Sequence, residues 1–409
     1  MDTTILLVFG FVYVGMILGR FPGLAMDRTG IALIGAIILL AGERIELTDA
    51  WRAVDVPTIG LLFGLMVLSA QFRLGGMYTA ITRRMVAAGI SPPALLAVVI
   101  AISGLLSALL ANDIVCLAVA PLLVESCARR RLNPLPFLLG LACASNIGSA
   151  ATLIGNPQNM LIGQKLRMSF GGYLLDGLVP AVLGLAAAWA ILVRQTRGRW
   201  QGEVRLQHVE APRFNPWQSG KGVVILIALV VAFLAAPIPR ELLALAAAGI
   251  ILTSRKMHSR RMLGLVDWEL LVLFIALFIV NEALESTGAL TLVIERLNTM
   301  HVDLGNMGWL FGITAVLSNL VSNVPATMLL LPAASTHGDP HLAGSVLALS
   351  STLAGNLFIA GSIANIIVVN QAERLGVHIG WREHARAGVP VTLATLLIAA
   401  GWLALRSLM

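Results

Sequence analysis

Two stretches of the chain, about 210 residues apart, follow one template, and each interrupts an apolar run with an amide at the same place. The first reads Leu106-Ser107-Ala108-Leu109-Leu110-Ala111-Asn112-Asp113 and reaches Pro121. The second reads Leu317-Ser318-Asn319-Leu320-Val321-Ser322-Asn323-Val324 and reaches Pro332, so Ser, Asn and Pro recur at an offset of 211. A second polar break follows in each half, Gly155-Asn156-Pro157-Gln158-Asn159 and Gly361-Ser362-Ile363-Ala364-Asn365. The register starts earlier still. Val54-Asp55-Val56 and Val266-Asp267-Trp268 open apolar segments that reach Gly76 and Gly288, both at an offset of 212. Polar side chains inside hydrocarbon-length runs are expensive, and paired interruptions in corresponding halves point to a transporter's binding site.

Composition places those runs in a bilayer. The 409 residues are 58% hydrophobic and 12% charged, against about 45–50% and about 25% in a soluble domain. A net charge of +7 does not imply nucleic acid, because the basic residues lie between apolar runs and not on one soluble face. Cys116, Cys127 and Cys143 show no CxxC spacing, and all seven histidines are expected in connecting segments, so neither a disulfide framework nor a metal site is indicated. Ile5 to Gly19 is preceded by Asp2 as its only charge, with no basic n-region, and reads as a first span, not as a signal peptide.

Each half carries five single apolar runs and one of double length, Pro93 to Val124 and Met307 to Ala334, with its Asn near the middle. Read as re-entrant hairpins with Asn112 and Asn323 at their tips, these leave five crossings per half. Five is odd, so the halves must be inverted. The expected fold is an all-α polytopic membrane protein of two inverted-topology repeats, each five transmembrane helices plus one re-entrant hairpin, with broken helices at the midplane. The N-terminal repeat covers 1–194, a cytoplasmic linker 195–220, and the C-terminal repeat 221–409. With the N-terminus outside, the inner segments hold 21 of the 28 Lys and Arg, including Arg20, Arg205 and Arg255, as the positive-inside rule requires.

Broken helices present free backbone N–H and C=O groups and aim partial charge at the break. An anion can be held there without a buried Arg or Lys, and the same carbonyls and amides suit Na⁺. Candidate lining groups are Asn112, Asn156, Asn159, Asn323 and Asn365, with the hydroxyls of Ser149, Thr152, Ser322, Thr327 and Ser362. Small residues here also serve close helix packing. Asp113 is an ionisable group in a membrane segment, fit to carry a proton or pair with a cation; capping of the returning helix is the structural alternative. Val324 stands opposite it, so only one half has the carboxylate. Glu125 reads as an interfacial ion pair with Arg129. Glu282, beside Asn281, is a weaker candidate for a proton path, and Cys116 reads as a small core residue.

Three motifs, Leu110-Ala111-Asn112-Asp113, Thr152-Leu153-Ile154-Gly155-Asn156-Pro157-Gln158-Asn159 and Ser322-Asn323-Val324-Pro325, resemble the ion transporter superfamily, which includes arsenite/antimonite permeases, related sodium/proton antiporters, and citrate and dicarboxylate carriers. Dicarboxylate symporters of that group show Ser-Asn-Thr at both tips. The Ala-Asn-Asp and Ser-Asn-Val tips here are closer to the arsenite permease branch. The resemblance implies hairpins and broken helices moving against a scaffold.

These readings converge on a non-enzymatic secondary active transporter of a small anion or oxyanion, with arsenite or antimonite efflux as the leading substrate. A sodium/proton antiporter using Asp113 and a citrate/dicarboxylate carrier are the alternatives. No HExxH, Gly-x-Ser-x-Gly or intramembrane Asp pair supports an enzyme, and a channel fits paired broken helices less well. The expected partners are a small-molecule anion and the lipid bilayer of the cell's inner (plasma) membrane, not nucleic acid, with a homodimer left open. No cofactor is expected beyond a coupling ion, H⁺ or Na⁺, with Na⁺ placed at the Asn112 or Asn323 tips.

Overall fold

In the computed structural model, which describes residues 2–19, 25–202, 212–254 and 256–408, the aspartates that open the matching apolar segments both cap helices. The Asp55 carboxylate accepts the backbone N–H of Thr58 at 2.8 Å, and Asp267 accepts that of Leu270 at 2.9 Å. Each capped helix is followed by a glycine in the left-handed region, Gly76 at φ +70° and Gly288 at φ +69°, which turns the chain into a short helix. That backbone favours a residue without a Cβ.

The same helix series occurs twice. The first runs α1 (Thr3–Leu18), α2 (Arg28–Ala41), α3 (Leu47–Ala53), α4 (Val56–Leu74), α5 (Met77–Ala87), α6 (Pro92–Leu109), α7 (Asn112–Arg129), α8 (Leu135–Ser149), α9 (Pro157–Lys165) and α10 (Phe170–Thr196). The second runs α11 (Pro216–Ala235), α12 (Arg240–Leu252), α13 (Ser259–Leu263), α14 (Trp268–Ser286), α15 (Ala289–Thr299), α16 (Met307–Val321), α17 (Asn323–Ser335), α18 (Pro340–Ala354), α19 (Ile363–Arg374) and α20 (Trp381–Arg406). A 3-10 turn, Ile359–Gly361, precedes α19, and no strand is formed among the described residues. The halves exchange partners: α4 packs on α12, α14 on α2, and α10 on α20.

Small residues set the closest approaches. A Cβ on Gly64 of α4 would stand 2.6 Å from the Ala244 carbonyl of α12, and one on Gly148 of α8 would enter the backbone of Gly104 on α6. Without a hydrophobic drive between lipid-embedded helices, such close packing supplies the attraction. Outward positions are apolar instead, with Leu7, Val224 and Leu397 each about two-thirds exposed or more.

Among the described residues five helices, α4, α6, α10, α11 and α20, are long and apolar enough to cross a membrane, or six if α14 and α15, bent by 69°, count as one span. The other apolar helices fall short. The 14 residues of α2 rise about 21 Å, against a hydrocarbon core of about 30 Å. Three sequence expectations change. α10 and α20 outrun their apolar segments, at 27 and 26 residues, and carry Pro180 and Pro390 inside. The connection between halves shrinks to 197–215, because Gln195 and Thr196 complete α10 and Pro216 starts α11; residues 203–211, with Arg205, lie outside the described residues, as do Arg20 and Arg255. His384 is no loop residue. It is buried in α20, and its Nε2 lies 3.1 Å from the Asn356 carbonyl oxygen.

A candidate substrate site where two broken helices cross

Both apolar runs after the amide tips stop midway and restart. α8 ends at Ser149, and α9 begins at Pro157, whose missing N–H costs nothing in a first helical turn. Asn156 caps it, its Oδ1 accepting the Asn159 N–H at 2.9 Å. In the other half α18 ends at Ala354 and Ser362 caps α19, its Oγ accepting the Ala364 N–H at 3.2 Å. Gly155 is fixed by space: a Cβ there would stand 2.6 Å from Ser149 Cα and 2.8 Å from the Ser107 carbonyl oxygen. Gly155→Ala is therefore expected to lower the Tm in detergent by several degrees, with a melting curve as the check; an unchanged Tm would mean the break relaxes freely.

The tips lie directly on these breaks. Leu110 and Ala111 unwind the chain between α6 and α7, and the Asn112 N–H then donates to the Gly155 carbonyl at 3.3 Å. At the second tip Ser322 adopts φ +77° and ψ 161°, a region that costs a non-glycine residue about 1–3 kcal/mol. The Asn323 amide, oriented by its partners, donates to the carbonyls of Ser351 and Gly361, each at 3.1 Å, and accepts from Gln158 Nε2 at 3.2 Å. Each tip is thus bonded to the break of its own half.

Side chains then join the halves reciprocally. Asn146 of α8 donates to Asn356 Oδ1 at 2.9 Å and Asn365 Oδ1 at 3.2 Å, and it accepts from Ser362 Oγ at 2.8 Å. Thr352 of α18 accepts from Asn156 Nδ2 at 3.2 Å and Gln158 Nε2 at 3.0 Å, and it donates to Asn159 Oδ1 at 3.4 Å. Within the first break Asn156 Nδ2 reaches Ser149 Oγ at 3.0 Å, and that hydroxyl donates to the Asn146 carbonyl at 2.8 Å. Asn112 Nδ2 donates to Asn146 Oδ1 at 3.4 Å. One continuous polar chain therefore connects the two tips, and all its side chains are buried.

Of the residues expected from sequence, Asn112, Ser149, Asn156, Asn159, Asn323, Ser362 and Asn365 meet in this chain. Asn159 also donates to the Thr152 carbonyl and to Tyr173 Oη, and Asn365 to the Gly355 and Phe358 carbonyls. Ser322 contributes backbone. Thr152 points elsewhere: its hydroxyl donates to the Ala108 carbonyl at 2.5 Å, stapling the first tip to the first break. Thr327 is buried with Oγ1 unpaired. Asp113 lies half-buried in the first turn of α7 and does not cap it, which leaves the capping reading without a bond. Glu125 pairs with Arg129 at 2.7 Å, as expected, and Glu282 lines an outlying cavity of about 240 Å³ with Asn281, Glu285 and Lys165. Cys116 is buried, donating to Ser145 Oγ at 3.0 Å.

Sequence reading missed Asn146 and Thr352, and it placed Asn356 at the start of the second break, Ala354-Gly355-Asn356 to Gly361-Ser362, without giving its side chain a lining role. The first two lie inside continuous helices, in the small polar runs Ser145-Asn146 and Ser350-Ser351-Thr352, with no helix break next to them. The repeat held the signal: Asn146 and Thr352 are 206 apart, the offset that relates Asn156 to Ser362 and Asn159 to Asn365.

Four helices, α7, α9, α17 and α19, begin at this crossing, so four N-termini present partial positive charge to it. Every side chain in the polar chain is itself neutral. Asn112 Oδ1, Asn356 Nδ2 and Thr327 Oγ1 remain buried and unpaired, each costing about 1–3 kcal/mol unless a ligand meets it.

Residues 13–354 match a family model described as "Citrate transporter". An uncharacterized transporter of Mycobacterium tuberculosis (MT2759 in strain CDC 1551 / Oshkosh) is 30% identical over 93% of this chain and 94% of its own. The silicon efflux transporter LSI3 of rice (Oryza sativa subsp. japonica) is 27% identical over 95% of each chain. The structure of Neisseria gonorrhoeae MtrF, described among antimetabolite efflux pumps, superposes with a TM-score of 0.61 over 98% of this chain and 94% of its own, at 11% identity, a likeness of fold alone.

Proposed function

Because the chain belongs to the citrate transporter family, within the ion transporter superfamily, we propose that this membrane transporter is a secondary active carrier of a small anion or oxyanion acid, driven by the H⁺ or Na⁺ gradient across the cell's inner membrane, with arsenite or antimonite efflux its leading activity. One observation carries the proposal. A continuous chain of amides and hydroxyls, faced by four helix N-termini and free of Lys and Arg side chains, runs between the two tips. Such a site matches a hydroxyl-rich, weakly charged species, which exchanges hydrogen bonds with amides and gains from the N-terminal fields. A multiply charged carboxylate such as citrate would lose more hydration than these partial charges return. The rice relative is named for silicon efflux, which also suits an efflux direction.

Alternating access follows if the two helix series are inverted repeats, each of five crossings and a hairpin. The exchange of α4 and α14 between halves and the basic bias of one side both support this arrangement. The antiporter reading keeps one specific support: the Asp113 carboxylate, in the first turn of α7, makes no hydrogen bond or ion pair among the described residues.

Purified protein in proteoliposomes, given arsenite, silicate, sulfate, phosphate, citrate or Na⁺ in turn, separates these readings. Saturable movement of one oxyanion acid, accelerated by an imposed gradient, is the expected result. Proton movement on adding Na⁺ alone, with no anion transported, would replace the carrier by the antiporter.

A further inference from the structure

The two breaks are related by the repeat, yet only one is sealed. Residues 151–156 at the first break are all buried, whereas at the second Phe358 is 40% exposed and Ala360 is also exposed. The same difference continues along the helices that follow. α9 is buried from Pro157 to Gly163 and packs against α4, while α19 has Asn370 exposed and Ile363, Ile366, Ile367 and Val369 only partly covered. No packing of like extent joins α14 to α19 among the described residues.

Three polar links fasten the end of α9. Lys165 Nζ pairs with Asp55 Oδ2 of the α4 cap at 3.1 Å, Gln164 Nε2 donates to Glu241 at 3.0 Å, and the Arg240 guanidinium donates to the Gly163 carbonyl at 2.7 Å. The repeat places Asp267 opposite Asp55, Arg28 opposite Arg240, and Val369, Asn370 and Gln371 opposite Gly163, Gln164 and Lys165. None of the three links is made there. Arg28 keeps a buried, unpaired Nε, and Asp267 forms no ion pair among the described residues.

We infer that Lys165, Gln164, Asp55, Arg240 and Glu241 form a gate, closed in this structure, and that Arg28, Asp267, Asn370 and Gln371 form its open counterpart on the other side. The closed gate lies on the side poor in basic residues, so the structure is the inward-open state. Switching swaps the two sets: α9 leaves α4 and α12, and the end of α19 docks onto α14 and α2, where Arg28 gains the Val369 carbonyl. The inference rests on the carrier reading, but sidedness can be measured without any substrate.

The native cysteines are buried, so single added thiols report cleanly. Asn370→Cys is expected to react with an impermeant maleimide applied from the cytoplasmic side. Adding Lys165→Ala and Arg240→Ala should shift the population outward and slow that labelling at least about threefold. Equal labelling with and without the gate residues would overturn the inference, whatever the carrier does. Joining Asp55→Cys to Lys165→Cys with a short bifunctional thiol reagent should then stop transport reversibly, with recovery on reduction. Continued transport by the cross-linked protein would also overturn it.

Discussion

Asn146→Ala is expected to lower transport at least about 100-fold while the protein still folds. The amide makes three bonds into the second half, to Asn356, Asn365 and Ser362, and a longer one to the first tip through Asn112. Removing it leaves several buried groups unpaired at about 1–3 kcal/mol each. Helix packing around α8 is untouched, because Gly148 and the apolar face do not involve the amide. The loss should therefore fall on the population of the crossed geometry, and two such groups suffice for about a hundredfold change. Initial rates in proteoliposomes, read beside a detergent melting curve, test this. Wild-type rates in Asn146→Ala would show that the crossing is only a scaffold. Loss of the folded protein would assign Asn146 to stability.

The depth of the repeat was legible because special backbone needs special residues. Asp caps, the glycines at positive φ and the Gly155 and Pro157 break use residue types suited to those backbones, and the offsets of 212, 211 and 206 line them up with similar helices later in the chain. The tip asparagines were legible for the same reason. Asn146 and Thr352 were not, since a polar residue inside a continuous helix leaves no local mark, and its partners come from the other half of the chain. Sequence places Thr152 beside the break but gives no direction, and its bond to Ala108 turns it away. The asymmetry of the gates was equally hidden. Asp55 and Asp267 occupy equivalent caps, and only contacts between distant helices show that Asp55 is paired with Lys165 while Asp267 forms no ion pair among the described residues.

Asp113→Asn is expected to abolish gradient-driven accumulation while leaving exchange of substrate across the membrane largely intact. An ionisable carboxylate in a membrane segment costs about 2.5–3.5 kcal/mol by insertion, so its retention at one tip only, opposite Val324, calls for a use. Asp113 stands at the N-terminus of α7, which favours the anion, and that charge can be traded against a bound cation or proton. Asn keeps the shape and removes that exchangeable charge. If Asp113 couples transport to the ion gradient, accumulation should collapse at least about tenfold, and counterflow with substrate on both sides should continue, because exchange needs alternating access but no net driving ion. Accumulation equal to that of the unmodified protein would remove Asp113 from coupling. Equal loss of accumulation and counterflow would place the carboxylate in substrate binding or in the moving tip itself.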